Sequence, residues 1–318
     1  MKIKDLIVGE SCELTLVVKS ATARMTKTQK PYLALEFFDG TDTINGNYWD
    51  WSGKKIPEVN AILDITGQVT EWQGRKQLTV KAMSTNTTKI LSDFAPASDH
   101  NLSDIYKDAY GMIADVKDDF LRSLGLAVLE ALRYEWLTVP GAVRVHHNYI
   151  GGTLVHSYST AKIAKAIAKQ VPEANEDLCV VGAMLHDVGK LFTYRINGVN
   201  IDRTFEGNLY EHIFMGAEFL GNFAENVANV DDYYVASKLR LLRHIILSHH
   251  GRLEYGSPVT PMCIEAFIVQ AADDLDATAE QLRAAERKTP EDEAWTEKLF
   301  TLNNTPHLTS RYVADVFA

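Results

Sequence analysis

The pattern of apolar residues changes once along the chain, near residue 100, and this change constrains the fold more than any other feature. Residues 1–90 contain short segments rich in Val, Ile, Thr and aromatic residues, separated by turn-forming pairs such as Asp39-Gly40 and Gln73-Gly74. From Ser103 to about Arg287, apolar residues instead recur at helical spacing. We therefore predict a multidomain α+β protein, in which a β domain precedes an all-α domain.

The β part is predicted to be a small closed barrel. The predicted strands are residues 12–20, 32–38, 43–49, 61–70 and 77–83. Five short strands suit such a barrel, and the OB-fold is the leading form. Barrels of this form bind single-stranded nucleic acid through basic and aromatic side chains, although aromatic residues also fill the core. The candidate nucleic-acid-binding residues are Arg24, Lys27, Lys30, Phe37, Tyr48, Trp49 and Trp72.

The formal net charge of −10 is carried by the second part of the chain. Residues 1–98 hold 12 Lys/Arg and 11 Asp/Glu, so the rest of the 318 residues hold 20 and 31. The N-terminal part is the better candidate for binding a polyanion, although its balance of charges is weak for that purpose. An acidic C-terminal part is compatible with bound cations, which offset some of the charge.

Imidazole and carboxylate side chains are placed along the helical part in a pattern that suits metal binding. The candidate ligands are His156, His186, Asp187, His212, His249, His250 and Asp273. Two vicinal histidines at the end of an apolar segment need polar partners, and a carboxylate in an apolar helix is costly to bury without a cation. Such donors can hold one or two divalent ions, and a metal with open positions activates water. The pattern predicts a metal-dependent phosphohydrolase.

The segments around these donors resemble a known family. MLHDVGK, HIILSHHGRLEYGSPVTPMCIEA and ADDLDA are similar to the HD-domain phosphohydrolases, a helical superfamily named after its His-Asp pair. Together with HHNYIGGTLVHS and EGNLYEHIFMGAEFL, they resemble the YhaM-type 3′→5′ exoribonucleases, in which an OB-fold domain precedes the HD domain. The resemblance covers residues 1–285 and implies the same two-domain order here.

The resemblance also implies roles for the donors. His156, His186, Asp187 and Asp273 would bind a first metal, and His212, His249 and His250 would complete a second site. Asp187 would bridge the two ions, and Lys190 would contact the scissile phosphate, so Asp187 and Lys190 are the expected catalytic residues. The implied reaction is stepwise hydrolysis of single-stranded RNA, or of DNA, from the 3′ end to nucleoside 5′-monophosphates. The implied metal is Mn²⁺, whereas the donor types also suit Co²⁺, Fe²⁺ or Ni²⁺.

Two other functions remain open at this point. One is an HD-type nucleotide or cyclic-nucleotide phosphohydrolase, although SHHG continues as RLEYGSPV, without the GYP signature of cyclic-di-GMP enzymes. The other is a nucleic-acid-binding protein without catalysis, which the retention of seven donors argues against.

The predicted domain organisation has four parts. We expect an OB-fold domain at 1–90, a linker and helical segment at 91–140, the HD domain at 141–290 and a C-terminal tail at 291–318. No apolar run approaches the roughly 20 residues that span a bilayer, so no membrane association is expected. Three scattered cysteines read as reduced thiols, which predicts a cytoplasmic protein. The oligomeric state, including a homo-oligomer, stays open.

Overall fold

The computed structural model describes residues 2–53, 55–94, 100–143 and 147–317; residues 95–99 of the predicted linker and residue 318 of the predicted tail lie outside them. The chain divides into two compact units. One is Met1–Ala97 with Ile196–Asn200, and the other is Ser98–Arg195 with Ile201–Ala318. Within the described ranges, no helix has both the length and the apolar character needed to cross a membrane.

The first unit contains a closed barrel of the predicted type. Its strands are β1 (Ser11–Met25), β2 (Pro31–Phe38), β3 (Thr43–Tyr48), β4 (Ile62–Trp72) and β5 (Arg75–Thr85). In the described part of the unit they close in the order β1-β2-β3-β5-β4, with β3 and β5 parallel and the other neighbours antiparallel. This is the five-stranded arrangement of an OB-fold, and all five predicted strands are confirmed.

Two local features allow this barrel to close. The first strand pairs with β4 through its first half and with β2 through its second half, and its register with β2 shifts between Val18 and Ser20. Such a bulge bends a strand, so that one strand can serve both sides of the barrel. The β4–β5 hairpin turns through Gln73 (φ 51°) and Gly74 (φ 74°), because a two-residue turn of this kind needs positive φ at both positions.

The interior of the barrel contains one residue that we predicted on its surface. Phe37 is fully buried, and a Cβ added at Gly46 would lie 2.7 Å from its ring. The prediction that Phe37 contacts nucleic acid is therefore wrong. Neighbouring strand residues face opposite sides of the sheet, and the strand register decides which side faces inward. The pair Phe37-Phe38 does not by itself show which of its two rings lies in the barrel interior. Tyr48 is half-buried against the same core, whereas Trp49 and Trp72 remain 45% and 66% exposed.

The second unit is helical, as predicted. Its helices are α1 (Leu102–Ala114), α2 (Asp119–Ala131), α3 (Arg133–Thr138), α4 (Gly152–Ala168), α5 (Glu176–Leu185), α6 (Lys190–Thr193), α7 (Phe205–Ala224), α8 (Tyr233–Ser248), α9 (Ile264–Glu286) and α10 (Ser310–Phe317). Between α6 and α7 the chain forms a short hairpin of β6 (Tyr194–Asn197) and β7 (Asn200–Arg203), whose residues 196–200 belong to the first unit. Several helices begin at side chains that accept a hydrogen bond from the first turn, among them Asn101, Asp118, Asn175, Thr204 and Asp232.

The helices of residues 102–138 belong to the hydrophobic core of this unit. Leu124 of α2 and Trp136 are fully buried in the same cluster as Leu154 of α4 and Ile245 of α8. A segment that we predicted as a linker with helices therefore packs beside the helices that carry the metal donors. At the other end, the Ser310 amide and hydroxyl donate to the Glu286 carboxylate, which joins the start of α10 to the end of α9.

Candidate metal centre

The structure brings the seven predicted ligands together from five helices. His156 lies inside α4, His212 inside α7 and Asp273 inside α9. The pairs His186-Asp187 and His249-His250 directly follow α5 and α8. Their ligand atoms form overlapping groups in which all atoms of a group lie within 4.8 Å of one another: His156, His186 and Asp187; His186, His249 and Asp273; and His212, His249 and His250.

The first group is centred on His156. Its Nε2 atom lies 3.1 Å from His186 Nε2, 3.1 Å from Asp273 Oδ1 and 3.3 Å from Asp187 Oδ2. Neighbouring ligands of one ion, with bonds of about 2.0–2.2 Å, lie about 3.0–3.5 Å apart. The spacing of these four side chains therefore fits a single divalent ion.

The second group faces the other oxygen of the same carboxylate. His212 Nε2 and His249 Nε2 each lie 3.5 Å from Asp187 Oδ1, and in the described part of the chain none of these three buried atoms has a hydrogen-bond partner. Buried polar atoms without partners are costly, and a cation would satisfy all three. Asp187 thus presents one oxygen to each group, which is the arrangement that a bridging ligand requires.

The histidine rings are held so that Nε2 points into the centre. His186 Nδ1 donates to the Ala183 carbonyl at 2.6 Å, and His249 Nδ1 donates to the Ile246 carbonyl at 2.7 Å. His250 Nδ1 donates to the Tyr255 carbonyl at 2.8 Å. A proton fixed on Nδ1 leaves the lone pair on Nε2, and such bonds orient metal-binding imidazoles. The rings are therefore prepared for coordination through Nε2.

The carboxylates of the centre are ionised. Burial alone would raise the pKa of Asp187, but Lys190, whose Nζ lies 2.7 Å from Asp187 Oδ2, and His186 hold that pKa well below its ordinary value. Burial also opposes ionisation of Asp273, but the neighbouring imidazoles of His156 and His186 nevertheless lower its pKa. Because both carboxylates stay charged while buried, the donor set favours a cation between them.

His212 is presented by a strained residue. Glu211 interrupts α7 at φ 60° and ψ 160°, a conformation that costs a non-glycine residue about 1–3 kcal/mol. Its side chain pairs with Arg203 and lies 3.7 Å from His212 Nδ1. Burial lowers the pKa of His212 to about 4, so the imidazole is neutral at pH 7 and its lone pair is available. Strain of this size is typical of positions where geometry serves function.

Close packing behind the centre depends on Gly189. Its φ of −64° is helical, yet a Cβ there would lie 1.9 Å from the His212 carbonyl oxygen and 2.6 Å from the Gly216 nitrogen. We expect Gly189→Ala to lower the free energy of unfolding by about 1–3 kcal/mol. The main-chain atoms that the new Cβ would meet cannot move aside as the end of a flexible side chain can. The control is Gly111→Ala in α1, where an added Cβ meets nothing within 4 Å and should stabilise by about 0.5–1 kcal/mol. Urea unfolding measures both, and equal stability of the two variants would contradict the packing argument.

Two buried residues beside the centre were not among the predicted site residues. Asp276 accepts hydrogen bonds from both His147 and His156 at 2.8 Å. The available signal was the spacing of Asp276, which lies three residues after Asp273 and so on the same face of a helix. His147 gave no comparable signal, because its partner is 129 residues away.

The helices that carry this centre have a recognisable sequence family. Residues 153–278 match the family described as HD domain. This region is an HD domain. The matched residues include every predicted ligand, and an HD domain indicates a metal-dependent phosphohydrolase.

Two solved structures of replication protein A are similar to part of the chain. The second OB-fold domain of replication protein A from Methanococcus maripaludis has 18% identity, covers 28% of this chain and 97% of that chain, and has a TM-score of 0.24. A chain of a replication protein A heterotrimer bound to ssDNA has 20% identity, covers 27% of this chain and 63% of that chain, and has a TM-score of 0.22. The OB-fold of the present chain is established by its own strand order.

Proposed function

We propose that the protein is a metal-dependent 3′→5′ exonuclease that hydrolyses single-stranded RNA, and DNA as a second substrate, to nucleoside 5′-monophosphates. The observation that carries the proposal is the position of Asp187 inside an HD domain, with Oδ2 facing His156 and His186 and Oδ1 facing His212 and His249. The direction of hydrolysis and the product come from the resemblance to the YhaM-type exoribonucleases.

The donors fit one or two divalent ions. The first would be held by His156, His186, Asp187 and Asp273, and the second by His212, His249, His250 and Asp187. Bound there, the metal would supply activated water and neutralise negative charge on the phosphoryl oxygens. Imidazole and carboxylate donors suit Mn²⁺, Co²⁺, Fe²⁺ or Ni²⁺, and we propose Mn²⁺ because the resemblance favours it.

Lys190 is the proposed phosphate contact. Its ammonium group is nearly buried and is held 2.7 Å from Asp187 Oδ2, at the point where the two donor groups meet. Burial opposes the charged form, but Asp187 raises the pKa of Lys190, so the side chain keeps its proton. A fixed positive charge at this place would stabilise the negative charge that develops on a phosphoryl oxygen.

The proposed nucleic-acid surface lies on the β1–β2 hairpin of the barrel. Trp49 stacks on Tyr32, with ring centroids 4.6 Å apart, and Arg24 is the cross-strand neighbour of Tyr32. Lys27 and Lys30 are exposed in the turn of the same hairpin. Exposed aromatic rings beside cations suit base stacking and phosphate contact. Tyr32 was not among the predicted residues, and we now add it to them.

We expect Trp49→Ala to weaken binding of single-stranded RNA by about 5- to 150-fold, the loss of stacking on one base. Binding is measured by fluorescence anisotropy of a labelled oligonucleotide without added metal, so that the strand is not consumed. The matched control is Tyr134→Ala, which removes an aromatic ring that is 74% exposed on α3. Unchanged affinity in Trp49→Ala would remove this residue from the proposed surface.

A direct test of the function uses 5′-labelled single-stranded RNA and protein stripped of metal by chelation. With Mn²⁺ restored, we expect a ladder of products that shortens from the 3′ end, with nucleoside 5′-monophosphates released. Without Mn²⁺ the RNA should stay intact. A circular RNA of the same sequence is the control for endonuclease activity, because it has no 3′ end.

The outcomes separate the candidate functions. Cleavage of the circular RNA would show that the protein is an endonuclease and would contradict the proposed exonuclease activity. Intact linear RNA with Mn²⁺, accompanied by hydrolysis of free nucleotides, would favour the nucleotide phosphohydrolase.

A further inference from the structure

Asp276 occupies an unusual position behind the proposed metal centre. The residue is 2% exposed and lies on α9, three residues after the proposed ligand Asp273. Its Oδ2 atom lies 2.8 Å from His156 Nδ1 and 2.8 Å from His147 Nε2. A carboxylate that is buried this deeply is stable only where it is well hydrogen-bonded, and here two imidazoles serve one oxygen.

The hydrogen bonds around Asp276 define the tautomer of each ring. An ionised carboxylate only accepts, so His156 donates from Nδ1 and His147 donates from Nε2. His147 Nδ1, which then has a lone pair, lies 2.9 Å from the Tyr149 hydroxyl, which can donate to it. The proton on His156 Nδ1 leaves the Nε2 lone pair facing His186, Asp187 and Asp273. In this chain each donating N–H or O–H group has an acceptor.

His156 needs such a partner because of its place in the fold. His186 and His249 follow the last residues of their helices and bond main-chain carbonyls of the preceding turn. His156 lies inside α4, where the carbonyls of the preceding turn already accept from helical amides. An acceptor from outside the helix is therefore required, and a carboxylate makes the imidazole a stronger electron donor than a carbonyl does.

His147 is fixed by the backbone around it. Its carbonyl oxygen accepts from the Gly141 amide at 2.8 Å. The same oxygen would lie 1.9 Å from a Cβ at Gly152, the first residue of α4, so only glycine allows this approach. The segment before α4 is thereby held against the helix that carries His156, which keeps His147 within reach of Asp276.

We propose that Asp276, held by His147, is a positioning residue that sets the affinity of the His156–His186–Asp187–Asp273 site for a divalent ion. The inference rests on the metal sites of the proposed function, but not on which substrate is hydrolysed. It predicts that the two metal sites respond differently to one change, because Asp276 contacts a ligand of only one of them. Carboxylates that orient a metal-binding histidine typically contribute about 10- to 100-fold to metal affinity.

The test titrates metal-stripped protein with Mn²⁺ and follows the free ion by electron paramagnetic resonance. Wild-type protein should bind two equivalents. Asp276→Asn should raise the dissociation constant of one equivalent by about 10- to 100-fold and leave the other unchanged. The matched control is Asp274→Asn, the same chemical change at an exposed position on the same helix, which should bind as wild type does. Circular dichroism and thermal unfolding of the metal-free variants show whether each one folds.

His147 supplies a second set of variants should Asp276→Asn fold poorly. His147→Ala should weaken the same equivalent, whereas His147→Gln, whose amide can donate to Asp276, should restore most of the affinity. The double variant of Asp276→Asn with His147→Ala should bind as Asp276→Asn alone does, because both changes act through one oxygen.

Three results would overturn the proposal. Wild-type affinity at both sites in Asp276→Asn would show that the carboxylate does not act on His156. Equal weakening of both equivalents, together with a lower melting temperature of the metal-free protein, would show a purely structural role. Binding of a third equivalent that His147→Ala abolishes would show that His147, His156 and Asp276 hold a metal themselves. None of these depends on RNA hydrolysis, so loss of the exonuclease assignment alone would leave the positioning role standing.

Discussion

Asp187→Asn is expected to lower the rate of RNA hydrolysis by at least about 10³-fold, because one carboxylate serves both donor groups. Its Oδ2 lies 3.3 Å from His156 and from His186, and its Oδ1 lies 3.5 Å from His212 and from His249. An amide of the same shape offers one oxygen and no charge. The measurement is single-turnover hydrolysis of 5′-labelled RNA at saturating enzyme and Mn²⁺. The exposed Asp231→Asn variant, between α7 and α8, is the control and should hydrolyse as wild type does.

The same change also affects stability, and the two effects can be separated. Asp187→Asn leaves the buried Lys190 ammonium without its ion-pair partner, which typically costs about 3–5 kcal/mol. The double variant Asp187→Asn with Lys190→Met removes both charges and should recover much of that stability without recovering hydrolysis. Recovery of hydrolysis together with stability would show that Asp187 serves folding alone.

Removal of metal is the second change with a large expected effect. Stripped protein should lose hydrolysis entirely and regain it with Mn²⁺, because the residues alone provide no comparable way to activate water. Mn²⁺ at 100 times its dissociation constant should also stabilise the folded protein by about 2.7 kcal/mol at one site, or raise the melting temperature by about 5–11 °C. Differential scanning calorimetry with and without Mn²⁺ measures this shift.

The control for metal stabilisation is Asp187→Asn, which should show a much smaller shift because both sites share that carboxylate. Stripped and loaded wild-type protein with equal melting temperatures would indicate that Mn²⁺ does not bind the centre. Another ion of the series Co²⁺, Fe²⁺ and Ni²⁺ would then be tested by the same shift. The identity of the metal is thus decided by binding, independently of substrate.

The barrel shows where prediction from sequence succeeds and where it ends. Its five strands were predictable because β-branched and aromatic runs alternate with turn residues such as Gln73-Gly74. The inward position of Phe37 was not, because a strand alternates faces with every residue and the side is set by pairing. That pairing depends on the bulge between Val18 and Ser20 and on the space that Gly46 leaves beside the ring.

The metal centre divides in the same way. The residue types of the proposed ligands could be predicted, because His186-Asp187, His249-His250 and Asp273 lie in apolar segments where imidazoles and carboxylates are costly without a partner. Their arrangement around Asp187 could not be predicted, because it depends on how the helices pack. The two faces of Asp187 and the bond from Asp276 to His156 join residues that are far apart in the chain. Such contacts depend on the angles and distances between packed helices. The spacing of residues along the sequence does not specify these angles and distances.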